Sequence, residues 1–175
     1  SVTKVLADYI GVDREDLRPQ KHKFISSREV PSVLNGKQDD YFIFTVIRNP
    51  WERTVSYFHY LQQIRQPPNN LSKDVKFANW VRAGGFRTLQ TQMSQLSDDF
   101  PCNVSRNIDY VARLENLSED WPKICKKMGI SCDMMHDKKS KHKHYSEYYN
   151  EVTKDIVYKF YKDDVQCLGY EFEKK

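Results

Sequence analysis

Two apolar runs stand out along the chain. DDYFIFTVI (39–47) is nearly continuous and rich in β-branched and aromatic residues, the pattern of a buried strand. NIDYVARLE (107–115) reads as a second buried strand. Elsewhere the apolar spacing is helical. Val2, Val5, Leu6, Tyr9 and Ile10 form one stripe, which Gly11 ends. SSREVPSVL (26–34) predicts a short helix, capped by Ser26 or Ser27 and limited by Pro31. After Arg48, Asn49 is placed to cap a helix and Pro50 to open it, with Trp51, Val55, Phe58 and Leu61 as its apolar stripe. VKFANWVRAGG (75–85) is a helix stopped by two glycines, and LSEDWPKICKKMG (117–129) a helix capped by Ser118. SEYYNEVTKDIVYKFYKDDVQCLGY (146–170) predicts one long terminal helix, with Tyr149, Val152, Ile156, Phe160 and Val165 near one face. The polar stretches 13–24, 65–74 and 138–144 read as loops. Strands alternating with helices indicate an α/β fold with a parallel sheet, in one domain of 175 residues.

Composition narrows the class. With 39% hydrophobic and 30% charged residues the chain is globular, and no run has the apolar length of a membrane span. A formal charge of +4 permits an anionic ligand without demanding nucleic acid. The start, SVTKVLADYI, has neither an initiator methionine nor a cationic leader, so the chain reads as a trimmed or processed fragment. Cys102, Cys125, Cys132 and Cys167 contain no CxxC pair, which argues against a zinc ribbon. CKKMGISC (125–132) has the spacing of a small disulfide loop, and the even count allows two bridges; four free thiols are the alternative. Asn70, Asn103 and Asn116 each head an Asn-x-Ser sequon, an acceptor for glycosylation if the chain is secretory.

The chemistry concentrates where the first strand ends. Ligands of parallel α/β sheets sit at the carboxyl ends of strands. Arg48 lies at such an end, and the helix that follows offers free amides and its positive dipole end. Ser56 comes eight residues later, beside the apolar stripe. A forked guanidinium with a hydroxyl donor suits a phosphate; the alternative is that Arg48 pairs with a core carboxylate and Ser56 merely caps or packs.

RNPWERTVSYFHY (48–60) resembles the 3′-phosphate-binding motif of sulfotransferases that use 3′-phosphoadenosine 5′-phosphosulfate (PAPS), an arginine at a strand end with a serine eight residues on. RNPWER with SY is most similar to the carbohydrate sulfotransferases, the heparan and chondroitin group above all. DYVARLENLSEDWPKICKKMGI (109–130) resembles that family's strand–loop–helix with its R-x-E-x-L pattern. The closing stretch ends in the family's D-x-x-x-x-G-Y-x-F at 164–172.

The resemblance implies a P-loop-NTPase-like three-layer fold, with a central parallel sheet flanked by helices. It implies transfer of a sulfuryl group from PAPS to a glycan hydroxyl, releasing 3′-phosphoadenosine 5′-phosphate (PAP). Arg48 and Ser56 would hold the 3′-phosphate, with Lys141 and Lys143 of the basic loop meeting it from the opposite side. His22, where the family often has a histidine, would be the general base, with Glu29 the carboxylate next in line. His59 reads as structural, and Arg113 and Glu115, which bind each other or orient the cleft, carry no assigned chemistry. His142 and His144 lack companion ligands at useful spacing, so no metal is implied. The family's lysine-bearing loop for the 5′-phosphosulfate is not found in the sequence; 1–10 resembles the helix that would follow it. Sequons and cysteines suit a Golgi-lumenal enzyme anchored outside this chain, with a bacterial cytoplasmic relative as the alternative. A small-molecule kinase would need a Walker loop and a magnesium carboxylate, which the sequence does not show. A module retaining Arg48 and Ser56 without activity is the remaining rival.

Overall fold

The computed structural model describes residues 26–63, 71–98, 102–132 and 143–174; the helix expected over 1–10, with its Gly11 stop, lies outside them. In chain order the helices and strands are α1 (Val30–Val33), β1 (Phe44–Ile47), α2 (Pro50–Gln63), α3 (Phe77–Arg82), α4 (Met93–Leu96), β2 (Tyr110–Arg113), α5 (Leu117–Met128), α6 (Glu151–Phe160) and α7 (Lys162–Leu168). The chain is mixed α/β and divides into two compact units. One comprises Ser1–Ile47 and Val104–Lys139, the other Arg48–Asn103 and Ser140–Lys175. No helix among the described residues is long and apolar enough to cross a membrane.

The first unit holds the sheet. β1 and β2 pair in parallel, Phe44 opposite Tyr110 through Ile47 opposite Arg113. Both strands are shorter than the apolar runs that predicted them. A 3₁₀ turn at Gln38–Asp40 takes the start of the first run, and the Ile43 amide donates to the Asp109 carboxylate at 2.7 Å. The expectation of a fully buried strand holds only in part: Ile47 is 3% exposed, but Val46 is 36% exposed. α5 packs on β2 and contributes Trp121, Ile124 and Cys125 to a small core with Ala112, which Phe44 meets edge-on at Trp121.

α5 starts at Leu117, so Ser118 falls inside its first turn rather than capping it. One acidic residue of that turn, Asp120, does the anchoring. Asp120 accepts hydrogen bonds from the Arg113 amide at 3.0 Å and the Tyr110 hydroxyl at 2.8 Å, and Lys123 lies 3.1 Å away. The Arg113 N–H, with help from Tyr110 and Lys123, holds the Asp120 carboxyl below the usual aspartate range. A lowered carboxylate stabilises the fold above its unfolded pKa, near ~3.9, and that support is lost as pH falls through the folded value. Asp120→Asn is therefore expected to lower the urea midpoint at pH 7, with the gap to wild type narrowing below about pH 4. A gap that does not change with pH would show that the carboxylate's charge is not what matters there.

The second unit is a helical layer around an aromatic core of Trp51, Phe58, Phe77, Trp80, Phe86 and Tyr161. Gly85 is required by packing, since a Cβ there would run into the Trp80 indole. The terminal segment is three elements, not one helix. A 3₁₀ turn at Tyr145–Tyr148 precedes α6, which Asn150 caps by accepting from the Thr153 amide at 2.9 Å. Tyr161 separates α6 from α7. The breaks rotate the buried face: Thr153, Val157 and Tyr161 are fully buried, whereas Val152 of the expected stripe is 56% exposed.

All four cysteines are paired, Cys102 with Cys167 in the second unit and Cys125 with Cys132 in the first. This decides for two bridges over free thiols.

Candidate active site

The start of α2 is built as its sequence indicates. The Asn49 side-chain oxygen accepts from the amides of Trp51 at 3.1 Å and Glu52 at 3.4 Å, and Pro50 opens the helix without needing a donor of its own. The Asn49 amide group donates to the Glu171 carbonyl at 3.0 Å, tying this cap to the terminal segment.

Arg48, which follows β1 in sequence, has its main chain clamped. Its N–H donates to Gln92 Oε1 at 2.8 Å, and its carbonyl accepts from Gln92 Nε2 at 2.9 Å. Gln92 is held in turn by Asp164 at the start of α7. That carboxylate accepts from the Gln92 amide and the Met93 amide, each at 2.7 Å, and is wholly buried. Burial pushes the Asp164 carboxyl up, while the two amides and Arg53 pull the other way. Sequence reasoning passed over both residues. Gln92 lies in a stretch with no periodic pattern. Asp164 entered only as the first residue of the D-x-x-x-x-G-Y-x-F pattern, with no partner assigned to it.

With the backbone fixed, the Arg48 side chain is partly shielded, at 19% exposure. Its Nη2 lies 3.0 Å from Glu52 Oε1. Glu52 is itself 29% exposed and stands in the first turn of α2, so the pairing uses one edge of the guanidinium and is not with a core carboxylate. Arg48 Nε is buried and has no partner among the described residues. A buried guanidinium N–H left unpaired is costly, and a phosphate oxygen is the acceptor it best matches.

Ser56 is half-buried on α2. It shares a helix face with Glu52, four residues before, and His59, three after. The Tyr145–Tyr148 turn runs along this helix. Tyr145 lies near Asn49 and Glu52, its phenol pushed up chiefly by burial and accepting from the Glu173 amide at 2.7 Å. At the other end the Tyr148 hydroxyl meets His59 Nε2 at 3.0 Å. Lys143, two residues before Tyr145, is exposed, with its Nζ 3.7 Å from Glu147. Lys141 and His22 lie outside the described residues. Glu29 is engaged locally, accepting from the Ser26 amide at 2.9 Å as half of a capping box.

A second feature flanks the same turn. A cavity of about 320 Å³ is lined by Tyr149 and Phe172, with Glu147, Glu151, Lys154 and Lys174 among its charged groups. Lys154 Nζ stands 5.1 Å over the Phe172 ring.

The model of the sulfotransferase family matches residues 11–171, almost the whole chain. The chain belongs to the sulfotransferase family. A sulfotransferase of this kind is a transferase moving sulfuryl groups, and the clamped Arg48 lies within the matched span. Among curated proteins, an uncharacterized protein of Archaeoglobus fulgidus is 28% identical over 92 residues, which cover 53% of this chain and 71% of that protein. No solved structure matches the sulfotransferase.

Proposed function

We propose that this sulfotransferase takes its sulfuryl group from PAPS and delivers it to a hydroxyl of a glycan. The observation that carries the reading is Arg48: its main chain is gripped on both sides by Gln92, and its buried Nε lacks an acceptor among the described residues. The residues present fit the nucleotide's 3′-phosphate. Arg48 would give it Nε–H and positive charge, Ser56 a hydroxyl donor, and Lys143 and Lys141 further charge. Bound PAPS supplies the sulfuryl group and, in PAP, a stable leaving group. His22 would take the proton from the acceptor hydroxyl as it attacks sulfur. Parallel pairing of β1 with β2 across a long connection supports a three-layer, P-loop-like arrangement. Paired cysteines and sequons support residence in the Golgi lumen, with any anchor outside residues 1–175.

The test is transfer of labelled sulfate from PAPS to a glycan panel by the full-length protein. At least one glycan is expected to become labelled, and His22→Ala should lower turnover roughly 10²–10⁴-fold with PAP affinity little changed. Tight PAP binding without labelling of any glycan would favour an inactive nucleotide-binding module. Near-normal turnover of His22→Ala would remove that residue from the mechanism.

A further inference from the structure

Two of the three sequons fall fully on described residues, and they differ. At Asn116-Leu117-Ser118 both the asparagine and the serine are exposed. At Asn103-Val104-Ser105 the asparagine is exposed but the serine is 4% exposed. The Ser105 hydroxyl accepts from the Asn107 amide at 3.1 Å. Next to this sequon, Cys102 is bonded to Cys167 across 65 residues of sequence.

These facts give Asn103 an asymmetric character. Its side chain faces water, so a bulky oligosaccharide there displaces no packed group. The enzyme that attaches N-linked glycans must also read the hydroxyl two residues on, and in the folded chain that hydroxyl is buried and engaged. Asn103 is thus well placed to carry a glycan and badly placed to receive one after folding. The pairing of all four cysteines points to the oxidising compartments in which such glycans are attached.

We propose that Asn103 carries an N-linked glycan, attached before the Cys102–Cys167 bridge closes and Ser105 is buried. In the step, the Asn103 carboxamide nitrogen bonds to the anomeric carbon of an oligosaccharide carried on a polyprenyl diphosphate. The bond from that carbon to the diphosphate oxygen breaks, the lipid diphosphate leaves, and the nitrogen gives up one proton. Closing the bridge afterwards passes two electrons and two protons from the Cys102 and Cys167 thiols to a protein disulfide. The inference stands apart from the transfer chemistry and does not depend on it.

Two measurements test it. In the natural full chain made in animal cells, amidase release of glycans should convert Asn103 to Asp in the recovered peptide. Asn103→Gln should lose one glycan's mobility shift; because the side chain is exposed, this variant is expected to fold. An Asn103 peptide recovered wholly unmodified overturns the proposal. For the order of events, unglycosylated protein made in bacteria is offered to microsomal oligosaccharyltransferase and its lipid-linked donor, once folded and oxidised, once reduced and unfolded. Only the reduced chain is expected to gain the glycan at Asn103. Equal modification of both overturns the proposed order.

Discussion

Arg48→Ala in the full-length protein is expected to weaken PAP binding by roughly 10–200-fold, the equivalent of one charged hydrogen bond worth about 1.5–3 kcal/mol. Affinity for adenosine 5′-phosphate, which lacks the 3′-phosphate, should barely move. The fold should survive, because Gln92 holds the Arg48 backbone rather than its side chain. Truncation also removes a buried Nε that has no partner among the described residues, so the free protein gives up little. The released Glu52 is partly exposed and water can solvate it. Ser56→Ala should show the same selectivity on a smaller scale. Equal loss for both nucleotides would mean that Arg48 supports the site without touching the 3′-phosphate.

Asp164→Ala is expected to cause the largest loss of stability. It leaves the Gln92 and Met93 amides without their acceptor, at about 1–3 kcal/mol each. Asp164→Asn keeps one side-chain oxygen and should lose about half as much in urea unfolding. The damage should also reach the proposed nucleotide site, since Gln92 is the residue that grips Arg48. PAP affinity should therefore fall in Asp164→Asn at temperatures where the variant is still folded. An unchanged affinity there would show that the Gln92 clamp survives without the carboxylate.

What the sequence revealed follows from how local each cause is. The helix after Arg48 was legible because its cap, Asn49, directly precedes it and its proline and apolar stripe lie within its fourteen residues, Pro50–Gln63, so that no distant partner is needed. Strand pairing was legible as two apolar runs, but their ends were not, because Asp39 and Asp40 fold into a turn and Asp109 captures the Ile43 amide. The terminal helix was overextended because nothing nearby marks the break at Tyr161, whose burial and hydroxyl bonds to the Phe86 and Leu89 carbonyls come from a distant loop. The Gln92–Asp164 clamp was invisible for the same reason. It joins residues 72 positions apart, and nothing near either of them in sequence marks the pairing.

Calorimetry of the full-length wild-type protein with PAP and with adenosine 5′-phosphate tests the central claim most directly. Arg48 and Ser56 holding a 3′-phosphate predicts that PAP binds at least ~10-fold more tightly. Equal affinities for the two nucleotides would contradict it.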